Sequence, residues 1–224
     1  MPRAMDNYLD LKFLAIGDSG VGKTCLLNQY VDGKFTQQLG TTVGIDIRNK
    51  TIFYESNKRS KSYTIQLQLW DTAGQERYRS LTTSFFRDAM GFLLVFDVTN
   101  EASFLNVRNW IGEIQSNAYS ENVDMILVGN KCDLEKERII TKIRALEFAQ
   151  QYHVDYIETS ALDNINVAES IELLLDSVMK RLDEDENFSR QNFKPIKKSM
   201  ESINDESYKN NFRSKTDTSY CCSY

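Results

Sequence analysis

The chain is poor in the residues that build metal clusters and disulfide frameworks. Among 224 residues there is one histidine, His153, and there are four cysteines, at positions 25, 132, 221 and 222. That spacing matches neither a zinc site nor a disulfide ladder, which excludes both classes and points to a reducing compartment. Long apolar runs are missing too. The longest, Ala89 to Phe96, is far too short to cross a bilayer. Residues 1–15 carry no basic segment followed by an apolar core, so no secretory leader is expected. Nor is positive charge in excess: 27 Lys and Arg stand against 32 Asp and Glu, a net charge of -5. That balance argues against general nucleic-acid binding. What remains is ordinary for a folded chain, with 41% hydrophobic and 26% charged residues. At roughly 150 residues per domain, the length gives one domain with chain left over.

From Leu9 to Leu182 short apolar runs alternate with longer amphipathic ones. Leu11–Gly17, Thr51–Tyr54, Tyr63–Trp70, Gly91–Val98, Met125–Gly129 and Val154–Glu158 read as strands. Tyr63–Trp70 alternates Ile65, Leu67 and Leu69 with Thr64, Gln66 and Gln68, so one face is polar. Gly91–Asp97 is apolar on both faces, as a central parallel strand between helix layers would be. Helices are expected over Lys23–Val31, Ser103–Ala118, Thr141–Tyr152 and Asn166–Arg181. In the last, Val167, Ser170, Ile171, Leu174, Val178 and Leu182 recur at helical spacing. Alternating strands and helices mean an α/β domain with a mostly parallel sheet. The pattern stops after Leu182. Residues 183–224 hold seven Lys or Arg and eight Asp or Glu without periodicity, a mixed rather than polybasic tail expected to be disordered.

Two motifs carry the chemistry. Gly17-Asp-Ser-Gly-Val-Gly-Lys-Thr24 fits G-x-x-x-x-G-K-[ST], follows an apolar strand and opens a helix. Its glycines let backbone N–H groups turn around phosphate oxygens, helped by the positive end of the helix. Lys23 would reach the β- and γ-phosphates and the Thr24 hydroxyl would bind Mg²⁺. Asn130-Lys-Cys-Asp133 directly follows a strand, at the sheet edge where ligands bind in doubly wound folds. The Asp133 carboxylate accepts two hydrogen bonds, and guanine offers two donors, N1–H and the 2-amino group, where adenine has an acceptor at N1 and no 2-amino group. Such a site rejects the analogue lacking those donors by roughly 10⁴-fold. Glu158-Thr-Ser-Ala161, after the next strand, could bring backbone N–H groups to guanine O6 or could be a mere loop. GTP or GDP is the expected ligand.

The phosphate loop, Asp71-Thr-Ala-Gly74 and Asn130-Lys-Cys-Asp133 together resemble a small GTPase of the Ras superfamily. Val43-Gly-Ile-Asp46, Leu69-Trp-Asp-Thr-Ala-Gly-Gln-Glu76, Tyr78-Arg-Ser-Leu81 and Leu94-Val-Phe-Asp97 resemble the Rab family in particular. Phe85-Phe-Arg-Asp-Ala-Met-Gly91 and Ser103-Phe-Leu-Asn-Val-Arg-Asn-Trp110 are similar to the Rab subfamily that tethers secretory granules and melanosomes. Ile47 departs from the pattern, standing in the effector-reading region where Rabs usually carry Phe. The resemblance implies a P-loop NTPase G domain over 8–182, with a six-stranded, mostly parallel sheet and helices on both faces. Residues 1–7 would be an extension and 183–224 a hypervariable tail.

The resemblance also implies the site. Nucleotide contacts would come from Asp18, Ser19, Gly20, Val21, Gly22, Lys23, Thr24, Cys25, Phe35, Thr42, Gly74, Asn130, Lys131, Asp133, Ser160, Ala161 and Leu162. Mg²⁺ would lie between Thr24 and Thr42, with Asp71 holding it through water. Thr42, not Thr41, directly precedes the Val-Gly pair of the family pattern. Phe35 would pack against the guanine edge, or simply end a helix half-buried, while the Lys131 stem covers a face. Gln75 would orient the attacking water. No arginine lies between Lys34 and Thr42, so no internal finger is expected from that segment, and Arg77 and Arg79 face partners more plausibly than the phosphate. Intrinsic hydrolysis of order 10⁻⁴ s⁻¹ is expected, accelerated roughly 10³–10⁵-fold by an activating protein.

Thr42 and Gly74 would read the γ-phosphate, so that Trp70, Tyr78, Phe85 and Phe86 face an effector with GTP or, for some of them, pack inside. Trp110 reads as packing. Cys221 and Cys222 near the end resemble the double prenylation site of Rabs, and two lipids suit a tail with no polybasic patch. Expected partners are effectors, an exchange factor, an activating protein, and prenylation escort and dissociation-inhibitor proteins. The expected location is the cytoplasmic face of vesicle or granule membranes, with a cytosolic GDP-bound pool. A nearly inactive GTP-binding scaffold is the alternative, opposed by Gln75. A P-loop metabolic kinase is rejected, since the tail cannot build an acceptor domain.

Overall fold

In the computed structural model the described residues are 7–36, 42, 44–56, 61–74, 83–118 and 123–184. Among them one sheet runs in the order β2-β3-β1-β4-β5-β6. Its strands are β1 Asn7–Ile16, β2 Ile45–Ser56, β3 Lys61–Thr72, β4 Gly91–Asp97, β5 Asp124–Asn130 and β6 Asp155–Thr159. The pairings are parallel except β2 with β3, antiparallel from Ile45 opposite Thr72 to Ser56 opposite Lys61. The helices are α1 Lys23–Asp32, α2 Glu101–Asn117, α3 Lys142–Tyr152 and α4 Val167–Glu184.

Side-chain alternation divides the core into two layers. Leu9, Leu11, Phe13 and Ala15 of β1 pack with α1 and α4, whereas Leu14 and Ile16 pack with α2 and α3. On β4, Leu93 and Val95 join the first layer, and Phe92, Leu94 and Phe96 join the second. This two-sided burial is the reason the Gly91–Asp97 run is apolar throughout. On β3, Ile65, Leu67 and Leu69 are buried and Gln66 and Gln68 are only half-buried, following the predicted alternation, but Thr64, expected on the polar face, is buried as well. The expected stripe of α4 is buried from Val167 to Leu182.

Two boundaries move for identifiable reasons. Helix α2 begins at Glu101 rather than Ser103, because the Asn100 side chain caps it by accepting the Ser103 N–H at 3.1 Å. Strand β2 spans Ile45–Ser56 rather than Thr51–Tyr54, because it lies at the sheet edge. Ile47, Asn49, Thr51, Phe53 and Glu55 alternate outward from it, so apolar pattern cannot mark its length. A short 3₁₀ turn over Glu135–Glu137 has no counterpart among the expected elements.

Beyond β1 the chain moves to β2 and β3 on one side of the sheet, and from β4 onward it builds the other side. The reversal between β1 and β4 leaves a crevice at the carboxyl ends of the strands. The loops after β1, β5 and β6 carry the predicted motifs into it.

Candidate functional site

The loop after β1 turns directly into α1. Gly22 stands at the helix N-cap with φ +95°, and a Cβ there would lie 2.4 Å from Asn130 Nδ2. Backbone conformation and space both require glycine. The free N–H groups of the first turn and the helix dipole therefore favour an anion in the crevice. Lys23 is only 6% exposed. Its Nζ donates to the carbonyls of Gly17 and Asp18, each at 2.8 Å. Burial lowers the Lys23 pKa to about 8, while Asp71 and Asp18 pull it back upward. Gly74 sits against this cation: a Cβ on it would lie 2.5 Å from Lys23 Nζ and from the Asp18 carbonyl oxygen.

Beside Lys23 three oxygen-bearing residues converge. Thr24 Oγ1 donates to Asp71 Oδ2, and the hydroxyls of Thr24 and Thr42 lie 2.9 Å apart. Asp71 is buried, and its Oδ1 has no partner among the described residues. Burial pushes its carboxyl upward against the opposing pull of the Thr24 hydroxyl and Lys23. Two hydroxyls and one carboxylate form a hard oxygen set of the kind Mg²⁺ takes when substrate phosphates complete its shell.

The other end of the crevice is built from side-chain braces. Asn130 donates to the Val21 carbonyl at 2.8 Å and accepts from Thr159 Oγ1 at 3.1 Å, tying the loops after β1, β5 and β6 together. Lys131 adopts φ +66° and sets its Nζ 2.6 Å from Asp97 Oδ2. Asp97 in turn accepts from the Thr99 N–H and hydroxyl through Oδ1. Asp133 accepts from Ser160 Oγ at 2.6 Å through Oδ1. Ser160 is fully buried and its Oγ also accepts the Asp163 N–H at 3.0 Å. One carboxylate oxygen is thus held, which fixes the plane of the other.

The cleft these residues enclose has a volume of about 500 Å³. Ser19, Gly20, Gly22, Lys23, Thr24 and Cys25 line it, with Thr42 and Gly74 beside Thr24 and Lys23, and so does Phe35. Asn130, Lys131, Asp133, Ala161 and Leu162 line its far end. Leu134 joins them although no motif marks it; its place directly after Asp133 is the available signal. Asp18, Val21 and Ser160 stand behind the wall. The Asp18 carboxylate turns to α2, Val21 is buried and accepts from Asn130, and Ser160 braces Asp133.

Phe86 is wholly buried, edge-on to Phe92 at 5.3 Å, so it belongs to the core and not to a binding surface. Trp70 and Phe85 remain half-buried with ring centroids 5.5 Å apart, and Ile47, 45% exposed, pairs directly opposite Trp70. Gln75, Arg77, Tyr78, Arg79, Thr41, Cys221 and Cys222 lie outside the described residues.

The Ras family pattern matches residues 12–180, a span that holds every element lining the cleft. Ras-related protein Rab-27A of Rattus norvegicus is 58% identical over 181 residues, covering 79% of this chain and 81% of that protein. Its Homo sapiens counterpart is 56% identical over the same shares. Ras-related protein Rab-27B of Rattus norvegicus is 54% identical, over 79% of this chain and 83% of that protein.

Proposed function

Because the chain belongs to the Ras family, as a Rab GTPase related to the Rab27 subfamily, we propose that its cleft is the guanine-nucleotide site of a prenyl-anchored switch. The protein is a GTPase that hydrolyses GTP to GDP and phosphate, and it serves as a switch in vesicle and secretory-granule transport. As a Rab it works with effectors, an exchange factor and an activating protein.

The reading of the cleft rests above all on the braced Asp133. A carboxylate held at one oxygen by the buried Ser160 presents acceptors in a fixed plane. Guanine N1–H and its 2-amino group match that plane, and adenine does not. At the other end Lys23 takes the β- and γ-phosphates, exchanging backbone carbonyls for anionic oxygens. Thr24, Thr42 and Asp71 hold Mg²⁺, which neutralises phosphate charge when bound. Gln75 orients the water, and Cys221 and Cys222 carry the lipids, with escort and dissociation-inhibitor proteins handling them. Among the described residues no helix is long and apolar enough to cross a membrane. Association with secretory vesicle or granule membranes is therefore peripheral in this reading, with the tail as its anchor.

Calorimetric titration of the nucleotide-free protein with GDP, GTP, ADP and ATP, with and without Mg²⁺, tests the site. Tight, Mg²⁺-dependent binding of both guanine nucleotides, with no adenine binding, is expected. Comparable ATP binding would remove the role given to Asp133.

A further inference from the structure

A carboxylate inside a phosphate-receiving loop works against its own ligand, because like charges at protein-like dielectric repel appreciably over several ångströms. Asp18 is that carboxylate, and its two oxygens are both engaged by α2. Oδ1 accepts the Trp110 indole N–H at 2.9 Å, and Oδ2 accepts from Asn106 Nδ2 at 2.7 Å. Asn106 and Trp110 are four residues apart, so they share one face of the helix. Neither donor is loosely held. Trp110 is 2% exposed within the second core layer, and Asn106 Oδ1 accepts from Asn109 Nδ2 at 3.2 Å.

The other end of the same residue reaches the cleft. The Asp18 carbonyl accepts from Lys23 Nζ at 2.8 Å, at the point where Gly74 makes its close approach. Asp18 therefore links the inner face of α2 to the cation proposed to face the phosphates. Without the two donors its carboxylate is free to turn toward bound phosphate, and its carbonyl loses the anchor that aims Lys23.

We propose that Asn106 and Trp110 are positioning residues for the phosphate loop, holding the Asp18 carboxylate on α2 and thereby setting the lifetime of the bound nucleotide. The inference rests on the cleft being a guanine-nucleotide site.

The test is release of fluorescently labelled GDP from the full-length protein with Mg²⁺, chased with unlabelled GDP. Asn106→Asp sets two carboxylates against each other, whereas Asp18→Asn leaves one amide oxygen to serve two donors, Trp110 and Asn106, unless the Asn106 amide turns over and gives up its bond from Asn109. Asn106→Asp should release GDP about tenfold faster, the scale of a lost charge-assisted hydrogen bond, and Asp18→Asn, which removes the repelling charge as it loosens the anchor, by less. The combined variant should return to within about threefold of the unaltered rate. In it the amide at 18 donates to the carboxylate at 106 and still accepts from Trp110. A merely structural role would instead lower the melting temperature of the nucleotide-free variants in step with the release rate.

Trp110→Phe keeps an aromatic ring in the core and removes the N–H together with part of the indole, so release should quicken by about threefold, with the melting temperature of the nucleotide-free variant reporting the packing loss. Should either single variant fail to fold, this conservative one carries the test alone. Unchanged release in the folded variants, or a double variant as fast as the worse single, overturns the proposal while the nucleotide site stands. Failure of the unaltered protein to bind GDP at all would overturn the reading of the cleft and this inference with it.

Discussion

The two ends of the cleft are built on opposite plans. At the Asp133 end the polar side chains find partners inside the protein: Ser160 on Asp133, Thr159 and the Val21 carbonyl on Asn130, Asp97 on Lys131. At the Lys23 end a buried ammonium rests on two backbone carbonyls, and Asp71 Oδ1 has no partner among the described residues. The first end is braced by the protein's own hydrogen bonds. The second is electrostatically unfinished, and an anion with its cation would complete it. In the proposed reading, specificity rests on fixed acceptor geometry and affinity on unrelieved charge.

Substitutions can break that division. Asp133→Ala should cause the largest loss, about 10³–10⁴ in GDP affinity by competition binding, since it removes both acceptors for the base. Loss of guanine preference should accompany it, and GDP binding within tenfold of the original would contradict the role given to the braced end. Lys23→Met should weaken GDP by about 10²–10³, through loss of charge-assisted phosphate contacts. The same variant should leave the nucleotide-free protein at least as resistant to heat, because it removes a desolvated cation. A marked fall in its melting temperature would mean that Lys23 supports the fold as well as the ligand.

The pH dependence sharpens the same point. Lys23 titrates at about 8 when folded, against 10.5 for an ordinary lysine. Below pH 8 it is charged in both states and its burial penalty is felt in full. Above that, the unfolded chain binds more protons than the folded one, so stability rises with pH. The rise amounts to roughly 3 kcal/mol if followed to the unfolded pKa. Tyr30 and Tyr54, raised to about 12 by burial and nearby carboxylates, begin to oppose it above pH 10. Chemical denaturation of nucleotide-free protein between pH 7.5 and 9.5 should show the rise, and Lys23→Met should abolish it. Ser160→Ala should have the smallest effect, about three- to tenfold on GDP affinity, because Asp133 keeps its charge and loses only its brace. An effect as large as that of Asp133→Ala would make Ser160 a direct ligand.

Much of this architecture is legible in the amino-acid order. Gly17–Thr24 and Asn130–Asp133 identify their chemistry because glycine, lysine and carboxylate at those spacings serve local backbone geometry and short-range contacts. The strand and helix order follows from apolar periodicity, clearest where both faces are buried, as at Gly91–Asp97. Strand β2 is mostly hidden, since an edge strand with outward polar residues owes its length to pairing with β3. Phe85 and Phe86 cannot be told apart by sequence either. They are adjacent and identical in type, yet one is half-buried against Trp70 and the other is in the core.

By itself, then, the amino-acid order determined the α/β class, the motif-bearing loops and the residue types proposed to meet phosphate and base, because each is a local property of the chain. Tertiary structure decided which of those residues line the cleft and which turn their side chains to other elements. Asp18, Val21 and Ser160 carry site-like signatures, but their partners are supplied by elements far along the chain: Asn106 and Trp110, Asn130, and Asp133. A side chain turns toward the group that satisfies it, and only folding brings that group within hydrogen-bond reach.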